Sequence, residues 1–129
     1  MSEAESAIKA RLETQTSNLS GASAVWAVQA PQDATRPYLV FEVTDEIPTN
    51  VMGTETTPTE AYFTVTIYAD TFLQAVNVTN DVRTALDRFS GTAGSVVVQD
   101  IFYLGRDDFF SQPENTYERQ LDFRMWFEE

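Results

Sequence analysis

Tyr62-Phe63-Thr64-Val65-Thr66-Ile67-Tyr68-Ala69 decides the fold class. Phe63, Val65, Ile67 and Ala69 take every second position, with Tyr62, Thr64, Thr66 and Tyr68 between them, and a pleated strand sends alternate side chains to opposite faces. β-branched and aromatic residues dominate the run, so a strand with one buried face is predicted. Asp70 or Thr71 follows as a helix N-cap. Beyond it Phe72, Ala75, Val76, Val82, Leu86 and Phe89 recur at three- and four-residue spacings and stop before Gly91. A main helix over 71–89 is predicted, with that stripe in the core.

Working outward, Ser2 and Glu5 form a capping-box pattern, and Ala4, Ile8, Leu12 and Leu19 share one face of a helix over 3–19 that Gly21 ends. Ala24–Val28 is a short apolar β-prone run. Pro31 and Pro37 bracket a polar link, after which Leu39, Phe41 and Val43 alternate along a strand over 38–43. From Thr44 to Thr59 the only aliphatic or methionine side chains are Ile47, Val51 and Met52. Such a stretch is too long for a tight turn, and we expect a mobile loop that becomes an extended hairpin against a partner.

Gly91-Thr92-Ala93-Gly94 reads as a link. Two antiparallel strands then follow, Val96–Phe102 and Tyr117–Phe127, separated by an acidic turn-like segment over 105–114. In the last strand Leu121, Phe123, Met125 and Phe127 alternate with Gln120, Asp122, Arg124 and Trp126. Helix, three strands, helix, two strands gives a single α+β domain over 1–129: a mostly antiparallel β-sheet with an N-terminal helix and a main helix packed on one face.

The composition narrows the function. The chain has 129 residues, a formal net charge of −12, no Cys and no His. Thiolate nucleophiles, imidazole bases and the usual zinc ligands are thereby absent. Lys9, the single lysine, stands among polar neighbours that would not desolvate it into a Schiff-base nucleophile. No Gly-rich phosphate loop or Gly-x-Ser-x-Gly elbow occurs. The adjacent acids Asp45-Glu46, Asp107-Asp108 and Glu128-Glu129 read as solvated charge, since neighbours in sequence rarely converge in a cleft. We therefore expect no catalytic residue, no cofactor and no metal. An excess of acids opposes a sequence-independent grip on nucleic acid, yet suits a wall that lets DNA pass, a phosphate mimic, or plain solubility.

No apolar run reaches the roughly 18 residues of a membrane span. Met1–Glu5 lacks the basic-then-apolar order of a secretory leader, so an intracellular product without membrane contact is expected. Tyr62, Tyr68 and Trp126 lie on strand faces opposite the predicted core. They are candidate interface residues, unless a second helix covers that face. Asp45, Glu46, Val51 and Met52 in the 44–59 stretch join them as candidates.

Several strings, in this order and spacing, resemble the tail-completion (tail-terminator) family of long-tailed bacteriophages. They are Arg36-Pro37-Tyr38-Leu39-Val40-Phe41, Phe63 to Ala69, Asp81-Val82-Arg83 with Ala85-Leu86-Asp87, and Tyr117 with Arg119 to Trp126. The resemblance implies a structural virion subunit of the tail and neck, assembled in the host bacterial cytoplasm. It also implies a ring, typically hexameric, that stops growth of the tail tube and joins it to the head. The implied partners are further copies of the chain, the tail tube protein, the head–tail connector or stopper protein, and phage DNA that crosses the lumen without specific binding. In that setting Asp107, Asp108 and Glu114, on the turn-like segment, are expected to face the channel. Three other readings stay open: an acidic DNA-mimic inhibitor of a DNA-binding protein, another head–tail connector subunit, and an enzyme on a small antiparallel sheet, disfavoured by the missing His, Cys and metal ligands.

Overall fold

The computed structural model describes residues 3–15, 25–28, 36–48, 58–111 and 116–128. Its elements in chain order are α1 (Glu3–Gln15), β1 (Val25–Ala27), β2 (Tyr38–Pro48), β3 (Pro58–Ala69), α2 (Phe72–Leu86), β4 (Gly91–Ala93), β5 (Val96–Ser111) and β6 (Thr116–Glu128). The strands form one six-stranded sheet in the order β1-β2-β3-β6-β5-β4. Only β1 pairs parallel, its Val25, Trp26 and Ala27 lying against Leu39, Val40 and Phe41. The predicted α+β class, with a mostly antiparallel sheet, is the observed one.

Alternation fixes which face is buried. Phe63, Val65, Ile67 and Ala69 of β3 point the same way as Leu121, Phe123, Met125 and Phe127 of β6, and all eight are at most 1% exposed. Phe63 and Phe123 stack at 5.3 Å between centroids in the middle of the sheet. Burying one such ring contributes roughly 1.5–3 kcal/mol, so this strand pair holds much of the stability. Both helices pack on this face. α1 presents Ala4, Ala7, Ile8 and Leu12, and α2 presents Ala75, Val78, Thr79, Val82, Ala85 and Leu86.

Four expectations are corrected. The 91–94 link is a hairpin: Ala93 pairs with Val96, and Gly94 takes φ 62° as the first central residue of a two-residue turn, the place where a type II′ turn wants glycine. The ladder between β2 and β3 continues as far as Pro48 opposite Thr59, so strands enter the 44–59 stretch from both sides, while 49–57 lies outside the described residues. The turn-like segment over 105–114 is mostly strand, because β5 stays paired with β6 as far as Ser111 opposite Thr116. Bulges explain both misreadings. An extra residue between Val43 and Asp45, and others between Val98 and Asp100 and between Tyr103 and Gly105, shift the alternation and hide the continuing strand.

The fourth correction concerns the main helix. It ends at Leu86, not 89: the Asp87 amide donates to the Arg83 carbonyl, Arg88 turns to φ 65°, and the Arg88 amide donates to the Ile101 carbonyl of β5 at 2.7 Å. Phe72 does not join the core stripe and is 59% exposed. It lies at the helix start, edge-on to Tyr117 at 6.4 Å. Thr71 caps the helix, its Oγ1 accepting from the Gln74 amide at 3.1 Å. Thr71→Ala leaves that amide without its cap and should cost about 1 kcal/mol in urea denaturation, with an unchanged m-value.

Candidate functional site

The second face of the sheet has no helix over it among the described residues. Its side chains alternate with the buried set and stay half-buried from Tyr62 to Tyr68 and from Gln120 to Glu128. Register places acids across the whole face. β2 contributes Glu42 and Asp45, β3 contributes Glu60, β6 contributes Glu118, Asp122 and Glu128, and β5 contributes Asp100 and Asp107. Against these eight carboxylates the same strands set one base, Arg124, whose guanidinium lies 5.3 Å from the centroid of Phe102. Asp122 is the most central, and its Oδ1 accepts from Thr64 Oγ1 at 3.0 Å.

The predicted aromatics are on this face but not in one cluster. Tyr62 stands opposite Arg124, and Trp126 opposite Glu60, so these two are diagonal neighbours. Tyr68 lies six residues further along β3, about 20 Å away at the usual rise, stacked on Tyr38 at 4.9 Å. Asp45 and Glu46 are exposed on the far end of β2. Val51, Met52 and Glu114 lie outside the described residues.

Asp107 and Asp108 separate. As strand neighbours they point to opposite faces, Asp107 beside Gln120 on the bare face and Asp108 beside Arg119 on the helix-covered face. Asp108 is therefore not a free turn acid. Its Oδ1 accepts from Arg119 Nε at 2.7 Å, and Arg119 Nη1 donates to Thr79 Oγ1 at 3.2 Å. The Arg119 side chain is 5% exposed while that of Asp108 is 50% exposed, so the acid lids a buried cation. This pair escaped the sequence reading, although Arg119 shares the parity of Leu121, Phe123 and Met125 and so had to point inward.

Large apolar side chains also reach the surface. Phe109 and Phe110 at the end of β5 are 53% and 49% exposed, and Phe72 at the start of α2 lies nearby. Between them is an open concavity of about 260 Å³, floored by Ala75, Tyr117 and Arg119. A shallower depression of about 290 Å³ surrounds Tyr62, Thr64 and Asp122. Neither gathers an acid–base pair beside a nucleophile, and among the described residues no group of three or more acids converges as a metal site.

A small sheet with one face packed, the other bare and charged, and aromatics left at its ends belongs to a structural subunit that works through its surfaces. The chain belongs to the tail completion protein gp17 family, whose model matches residues 6–128. It is a structural tail protein of phage type. The fold is similar to a chain in the virion of a native gene transfer agent particle, with a TM-score of 0.62 and 15% identity, covering 84% of this chain and 81% of that one. A search of curated protein sequences finds no match.

Proposed function

We propose that the subunit forms a ring, of six copies in the simplest case, that terminates the tail tube and joins it to the head, with its bare sheet face turned to the lumen. One observation carries this reading: the strands set eight acids against one arginine on the only broad face that the helices leave open among the described residues, with Arg88 reaching its β5 margin over Phe102. Burying that face against another protein would strip water from many carboxylates at once, at several kcal/mol each unless paired. Facing a water-filled channel it keeps its hydration and repels phosphates, so DNA slides without sticking. The tyrosines and Trp126 then belong to the wall, and the contacts between subunits fall at its margins. Screening limits each carboxylate to a range of about 8 Å at physiological salt, which suits a narrow bore.

Because the chain has no cysteine, single introduced thiols report orientation cleanly. Thr66 is on the bare face of β3 and Thr84 on the exposed side of α2. In tube-bound rings, Thr66→Cys should react with a small maleimide as it does in the free subunit but much more slowly with a bulky polymer-linked one. Thr84→Cys should react with both as it does when free. Equal access of the bulky reagent to Cys at 66 in the assembled ring overturns the lumen assignment.

A further inference from the structure

We infer that copies of this chain join head to tail through the two opposite edges of the sheet, the arginine-bearing β5 edge of one meeting the acidic β2 edge of the next. The inference rests on the ring reading and names its contact. On one edge, β4 covers β5 only from Val96 to Val98, and the Arg88 amide and Asp87 carboxylate take groups at Ile101 and Tyr103. From Gly105 to Phe110 the outer side of β5 has no strand partner among the described residues. On the other edge, β1 covers β2 only from Leu39 to Phe41. From Glu42 to Ile47 the outer side of β2 likewise has no strand partner among the described residues. The two stretches match in length, and strands left open in this way are templates for pairing with another chain.

Charge selects a second copy as the occupant. Most of the basic residues are held within the subunit or lie away from this edge: Lys9 with Glu13, Arg36 with Asp70, Arg119 with Asp108, Arg11 on the Ala85 carbonyl and Phe89, and Arg124 half-buried on β6. Arg83, Arg88 and Arg106 remain, and all three are exposed along the β5 edge. Arg83 and Arg88 lie over Tyr103 and Phe102 at 4.3 and 5.0 Å and have no ion-pair partner among the described residues. Arg106 has only a loose 3.7 Å contact with Asp108, which Arg119 already holds. In the open β5 stretch Asp108 is held by Arg119, so the three arginines stand against Asp107 alone, whereas on the β2 edge Glu42, Asp45 and Glu46 are exposed, with Ile47 beside them at 47%, and the strand has no base. A contact that uses two different surfaces is heterologous, and heterologous contacts generate a ring where the rotation between copies closes and an open filament where it does not.

The test is a reciprocal charge swap, read by sedimentation of the full chain at high concentration. Arg88→Glu with Arg106→Glu makes both edges acidic and takes the net charge from −12 to −16; Glu42→Lys with Asp45→Lys makes both edges basic and takes it to −8. Each variant alone should associate at least about tenfold more weakly than wild type, and an equimolar mixture should recover to within about threefold, since every junction is again between opposite charges. General self-repulsion makes the opposite prediction for the −8 variant, which should then associate better than wild type. Recovery on mixing requires both variants to be folded, so misfolding cannot imitate the expected result. Variants that assemble like wild type, a −8 variant that assembles better, or folded variants that fail to recover on mixing each overturn the edge assignment and leave the ring standing. A wild-type chain that stays monomeric in concentrated solution and on tube ends removes both.

Discussion

Asp108→Lys lowers the stability of the isolated subunit by about 3 kcal/mol, whereas Asp107→Lys, one residue away, changes it by under about 0.5 kcal/mol. The difference comes from what each carboxylate faces. Arg119 is buried to 5% exposure under the Asp108 carboxylate, with Thr79 as its other polar partner. Removing the acid leaves a cation desolvated and unpaired, and a lysine at 108 adds a like charge. The half-exposed position of Asp108 lets water recover part of the loss, which is why the figure sits at the low end for a broken buried pair. Asp107 points to the bare face, where a lysine stays hydrated. Urea denaturation of the two variants should separate them by roughly 10 °C when repeated thermally. Equal stabilities would mean that Arg119 does not depend on Asp108.

That difference departs from the reading of the sequence, in which both residues sat on a turn-like segment as solvated charge. Strands that alternate without interruption were legible: β3 and β6, with their buried sets, follow directly from period-two patterning. The longer extents of β2 and β5 were not legible, because bulges near Thr44, Gln99 and Leu104 shift the parity that marks a strand. Aromatics on the bare face were found for the same reason that the core was found. The acidic face was missed because its members are spread one to three per strand, and only the register of β2, β3, β6 and β5 gathers them. The arginines of the β5 edge come from a helix end, a turn and a distant strand, a grouping that no local spacing encodes.

Glu60→Lys together with Glu118→Lys should turn a ring that ignores DNA into one that retains it. The two positions lie toward opposite ends of the bare face, Glu60 beside Trp126 and Glu118 beside Tyr68, and both are half-buried rather than core. Each subunit then gains two cations where it had two anions, and its net charge moves from −12 to −8. In a ring of six copies this places twelve lysines on the wall, and each one that meets a phosphate releases a counterion. Retention of linear duplex DNA by the variant ring should therefore appear at low salt and fall steeply as salt rises. Its log–log slope is bounded at about 11 in magnitude, reached only if every lysine engages. Phage carrying the variant should release DNA more slowly, with the defect relieved by salt. Lysines at Asn77, Asn80, Thr84 and Ser90, exposed on α2 and just beyond it, bring the subunit to the same −8 without touching the bare face. Those outer lysines should leave DNA passage unchanged, because charges outside the wall are more than a Debye length of about 8 Å from the lumen. Equal retention by the two variants would show that net charge alone controls the interaction, and the bare face would lose its role as the channel wall.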